Sequence, residues 1–174
     1  MGKIISLFLF LIALICSSCG SKVPIADVSQ AIEDDKIVGK WANYEKMPSE
    51  KVEVSVFKFN EKEYLAWLES EEQDSTEVKK ESGFYRVYIV QIANKHFINA
   101  QDIIPLDPDE RLYYFFTYEF KSDSILTLSS LKDVDSTKVS EFETSEDLFR
   151  FIKENLNNDS LYDDPVEFTK IKDF

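Results

Sequence analysis

The chain has 174 residues and carries 33 acidic side chains against 20 basic ones, a formal net charge of −13 at pH 7. So acidic a surface repels phosphate backbones and anionic lipid, which argues against nucleic acid as a partner. With one histidine and two cysteines, the chain lacks the nitrogen and sulfur ligands for a zinc site, and no metal or cofactor is expected.

In chain order, Met1-Gly2-Lys3 precedes an apolar run from Ile4 to Ile15, and Cys16-Ser17-Ser18-Cys19-Gly20 follows. A basic start, a short apolar stretch and small residues before a cysteine mark an export signal over residues 1–18. The stretch is too short for an ordinary membrane-spanning anchor. Cys19 is the better attachment site, since Ser17 and Ser18 suit a peptidase cleft whereas Cys16 follows the bulky Leu14-Ile15. The segment resembles the signal peptides of bacterial lipoproteins. That resemblance implies cleavage before Cys19 and a diacylglyceryl group, carrying fatty acyl chains such as palmitate, on its sulfur. Gly20 instead of Asp after the cysteine implies, by the same resemblance, the outer membrane of a cell envelope. Ser21-Lys22-Val23 lack the acidic run associated with surface display, so the leaflet stays open. No cysteine follows Cys19, and the domain must hold itself together without disulfides.

Residues 19–37 are polar and mixed, and are expected to be the lipidated cysteine and a mobile tether with a short helix over Val28 to Ile32. A single domain is expected over 38–174. Its dominant period is two, the signature of half-buried strands. Strands are predicted from Gly39 to Tyr44, around Val52-Val54-Val56, and from Glu63 to Ser70. Further strands are predicted from Phe84 to Ile92, Lys95 to Gln101, Arg111 to Phe120, Ile125 to Ser130 and Val166 to Ile171. The phase change at Phe57-Lys58-Phe59 predicts a bulge. Gln73 to Ser82 reads as a charged exposed loop, and the chain is expected to turn at Asn94, a residue that tolerates the left-handed conformation. Thr144-Ser145-Glu146-Asp147 is a helix start, with a hydroxyl cap and acids in the first turn. Leu148, Phe149, Ile152 and Leu156 then share one face, and Asn157-Asn158 ends the helix. The fold class is therefore mainly β: about eight antiparallel strands closing into a barrel, with one amphipathic helix before the last strand that covers an open end or packs on the wall.

Gly39-Lys40-Trp41 at the start of an eight-stranded meander resembles the Gly-x-Trp opening of lipocalin-like barrels, and the helix-then-strand tail resembles small bacterial proteins of that type. The resemblance implies a barrel that holds a small, partly apolar molecule. Candidate lining residues are Trp41, Trp67, Arg86, Tyr88, Tyr114 and Phe116. Trp41 would plug the barrel floor, and a plain core tryptophan would look the same in sequence. Arg86 either meets a carboxylate inside the barrel or lies outward with its stem on the wall. The aromatic residues either line a cavity or fill the interior. In the second case the barrel would be a protein-interaction or envelope-assembly module. Catalysis is not expected: His96 lacks an accompanying nucleophile motif, and no spacing singles out a pair of carboxylates. Asp107-Pro108-Asp109-Glu110 lacks the alternating ligands and central glycine of a calcium loop.

Overall fold

The computed structural model describes residues 20–43, 50–73, 78–133 and 137–174. The expected export signal over residues 1–18 and the expected attachment site Cys19 lie outside the described residues. The strands are β1 (Gly39–Asn43), β2 (Glu50–Lys58), β3 (Glu63–Gln73), β4 (Val78–Ile92), β5 (Lys95–Asp102), β6 (Tyr113–Ser122), β7 (Ile125–Ser130) and β8 (Val166–Lys172). Each pairs antiparallel with the next, and β1 pairs with β8, so the meander closes into an eight-stranded barrel with the one described helix, α1 (Ser145–Glu154), before the last strand. Closure removes the unpaired edges that an open sheet would present.

The alternation sets two faces. Tyr114, Phe116, Tyr118 and Phe120 point inward and pack with Trp41, Val56, Ala66, Val87, Ala100, Leu126 and Phe168. A second apolar cluster lies outside the wall of β4, β5 and β6. Tyr88, Val90, Phe97 and Phe115 meet Ile25, Ala26 and Ala31 of the N-terminal segment, and Leu148, Ile152, Leu156 and Leu161 from α1 and the turn after it. That part of the wall is apolar on both sides, which lets it hold the rest in place. The helix thus covers the wall and not an end of the barrel. Thr144 caps it, its Oγ1 accepting from the Asp147 amide at 3.2 Å, and Asn155 terminates it two residues before the expected stop.

Several expectations are corrected. The predicted mobile tether is a strap. Ser21 exchanges backbone hydrogen bonds of 2.9 and 2.8 Å with Tyr113, and the Ile32 amide donates to the Ile89 carbonyl at 2.9 Å. Between them the Ile25 amide donates to Asn99 Oδ1 at 2.8 Å, and the Tyr88 hydroxyl donates to the Ala26 carbonyl at 2.8 Å. Backbone pairing and the buried apolar side chains of Ile25, Ala26 and Ala31 outweigh the polar composition of this stretch. Gln73 to Ser82 is not a loop in its described part: β3 and β4 run on in register from Glu69↔Ser82 to Gln73↔Val78, with Glu71 ion-paired to Lys80. Alternating opposite charges across strands make a polar ladder there. No bulge interrupts β2, whose pairing with β3 is continuous. Phe57 is simply an outward residue whose ring stacks on Phe174 at 4.5 Å between centroids. The expected turn at Asn94 does join β4 to β5, and the residue in the left-handed region there is its neighbour Ala93, with φ of 53°.

Candidate functional site: the barrel interior

The barrel is not packed solid. A cavity of about 360 Å³ lies inside it, lined by Val52, Val54, Ala66, Leu68, Val87 and Ala100 on one side and by Tyr114, Phe116, Leu128 and Phe168 on the other. The cause is in the inward positions of β2 to β5, where valine and alanine recur and leave space that the β6 aromatics do not fill. An eight-stranded barrel is just wide enough for either outcome, and side-chain size decides between them. The volume falls in the lower part of the range of about 300–1,000 Å³ typical of small-molecule pockets.

One end is closed. A 3₁₀ turn over Asp35–Ile37 crosses it ahead of β1. Trp41, only 2% exposed, seals this floor: its Nε1 donates to the Ile37 carbonyl at 2.8 Å, its ring meets Phe120 at 5.9 Å, and Lys170 Nζ lies 5.2 Å over it. Gly39 has φ of +136°, and a side chain there would run into the Lys172 carbonyl, so the glycine of the Gly-x-Trp triplet is required by its backbone. Beneath the floor Tyr118 donates to Asp34 Oδ2 at 2.6 Å, the Asp34 amide donates to the Tyr64 hydroxyl at 2.9 Å, and Lys58 pairs with Glu33 and Asp35. Burial, reinforced by Asp34, pushes the Tyr118 phenol far above its usual value, so it stays a neutral donor. The acids at 33–35, legible in sequence only as a polar run, are the fastening of the strap to the floor.

Polar groups collect at the other end, where Asn43, Ser70, Lys79, Glu81, Tyr85 and Tyr114 line the cavity. The Tyr85 and Tyr114 rings meet edge to face at 6.1 Å. Tyr85 leans across Gly83, where a Cβ would stand 2.6 Å from its ring, so the absent side chain gives the tyrosine its place on the wall. Burial, with Asp102 and Tyr114 nearby, pushes the Tyr85 phenol up to about 12. The interior is thus an apolar tube with hydroxyl, amide and charged groups toward one end.

Of the six predicted lining residues, Trp41, Tyr114 and Phe116 do line the cavity. Trp67, Arg86 and Tyr88 do not. The register that turns Tyr64, Ala66 and Leu68 inward puts Trp67 outside, 49% exposed and edge to face with Phe84. Arg86 lies outside and pairs with Glu63. Burial works to raise the Glu63 carboxyl, but Arg86 and Asn60 Nδ2, at 2.7 Å, hold it below its ordinary value. Tyr88 is 3% exposed, yet the strap is what buries it, on the outer side of the wall. Val54, Ala66 and Ala100 escaped prediction because a search for large residues passes over the small ones that create the space. Among the described residues no group of three or more His, Cys, Asp or Glu could hold a metal ion, and no helix is long and apolar enough to cross a membrane. No protein-family model, curated protein or solved structure matches this chain.

Proposed function

We propose that the protein is a lipid-anchored lipoprotein of the bacterial envelope, at the outer membrane, whose lipocalin-like barrel binds a small, partly apolar molecule without chemical change. The cavity of about 360 Å³ carries this reading, apolar along its length and polar at one end, an arrangement suited to a molecule with an apolar body and one polar group. The anchor part rests on the segment from Lys3 to Cys19, and the Gly39-Lys40-Trp41 opening with its tryptophan floor supports the lipocalin-like part. Selectivity would come from cavity shape and from the hydroxyls of Tyr85 and Tyr114.

The test uses the full chain purified in detergent and titrated with N-phenyl-1-naphthylamine, a neutral apolar dye. Saturable uptake that quenches Trp41, with Trp67→Phe removing the outer fluorophore, is expected, and Val54→Trp should abolish it by filling the tube. No saturable uptake, or uptake indifferent to Val54→Trp, would refute a binding cavity. The alternative, a protein-interaction module, is favoured by the exposed Trp67 beside Phe84 on the outer wall. It predicts a stoichiometric envelope partner that Trp67→Ala loses.

A further inference from the structure

The strap leaves no slack between an anchor at Cys19 and the barrel. Gly20, joined to Cys19 by one peptide bond, is packed so closely on Leu112 that a Cβ would stand 2.7 Å from the leucine Cβ, and Ser21 is fully buried and paired to Tyr113. Leu112 and Tyr113 lie where β6 begins, at the end of the barrel that carries the cavity's polar groups and away from the Trp41 floor. From that end projects the β5–β6 loop, residues 103–112.

This loop is braced, not slack. The Asp102 amide donates to the Leu112 carbonyl at 2.9 Å and the Ile103 amide to the Phe84 carbonyl at 3.1 Å. Asp102 Oδ1 accepts from the Ile104 amide at 2.9 Å, and Arg111 Nε donates to the Pro105 carbonyl at 3.0 Å. Yet the braced loop presents Ile104 at 57% and Leu106 at 95% exposure. The braced backbone holds both side chains out from the barrel, side by side at its polar end. Asp107, Asp109 and Glu110 follow them directly, which disfavours an anionic surface and suits a zwitterionic one.

We infer that the β5–β6 loop is the membrane-contact surface of the anchored protein, with Ile104 and Leu106 seated in a zwitterionic lipid interface and the polar end of the cavity turned toward the bilayer. This rests on the lipid-anchor reading of Cys19, which places a bilayer within one residue of Gly20. A diacylglyceryl group already supplies the two acyl chains that stable anchoring needs, so the short apolar wedge beside it would set the orientation of the barrel and not its retention. The closed end carries the competing apolar group, Phe57, Phe59, Ile171 and Phe174, and an anchored barrel with that end down would be inverted.

The experiment labels the full chain, purified from membranes, with an environment-sensitive fluorophore at Leu106→Cys or Phe59→Cys, and reconstitutes it in phosphatidylcholine vesicles containing shallow doxyl-labelled lipid. The expected result is that the protein floats with the vesicles and the label at 106 shifts to the blue and loses most of its emission to the quencher, while the label at 59 does neither. Flotation with the label at 59 quenched, or with neither quenched, overturns the orientation and leaves the anchor reading standing. Failure to float, or labelling of Cys19 in the unsubstituted chain, overturns the anchor reading and this inference with it.

Discussion

Removing one oxygen atom tests both the strap and the boundary of the cavity. In Tyr88→Phe the ring stays, and what is lost is the 2.8 Å hydrogen bond to the Ala26 carbonyl. Both residues are buried, so no water can replace the donor and the carbonyl is left unsatisfied. Such a loss costs about 1–3 kcal/mol. With a urea slope of about 2 kcal/mol/M, the unfolding midpoint should fall by roughly 0.5–1.5 M at unchanged slope. Because Tyr88 lies outside the barrel, dye affinity should stay within a factor of about two, a difference of roughly 0.4 kcal/mol. Urea melts of the full chain followed by circular dichroism, with dye titrations alongside, give both numbers. A variant as stable as the parent would show that the strap is not docked as described. A tenfold loss of dye affinity at unchanged stability would return Tyr88 to the lumen and refute the assigned register.

Trp41→Ala should cost about 3–5 kcal/mol, since it removes a fully packed indole together with its bond to Ile37, and thermal melting should register a fall of roughly 6–20 °C. Glu53 governs part of the acid sensitivity. Burial opposes its charge, but Lys40 at 2.6 Å and Lys51 at 2.7 Å prevail and hold its carboxyl at about 2, below the ordinary 4.5. Its folded-state value is depressed, so the unfolded chain binds the proton first. The stabilisation is complete above about pH 4.5 and is lost as pH falls toward 2. Glu53→Gln should flatten that part of the curve of urea midpoint against pH, and an unchanged slope would count against the pairing.

Period-two alternation carried much of the fold. Tyr114 to Phe120 could hardly be other than a strand with one apolar face, and each of the eight strands and the helix overlaps its predicted range, although β3 runs on to Gln73 and β4 begins at Val78. Alternation does not say which face is inside when both carry large residues. On β3 the small Ala66 points in and Trp67 points out, because register with β2 and β4 decides it. The strap was illegible for a different reason. Its attachments are mostly backbone groups, and Ile25, Ala26 and Ala31 form no period that would distinguish them from a linker. The cavity is a deficit of volume, and a deficit shows only once opposing walls are brought together.

If the protein is the lipoprotein proposed above, the strap also constrains the order of events during its biogenesis. A peptidase acting on the bond before Cys19 needs an extended stretch of chain in its cleft, and the residues just beyond that bond, Gly20 and Ser21, are sealed against β6 once the barrel is complete. On the lipoprotein reading proposed above, cleavage would therefore have to come first, while the polypeptide is still open at the translocation site. Maturation of the amino terminus would then act as a checkpoint: a chain that missed its cut would have to forgo either the seam at Tyr113 or access to the enzyme.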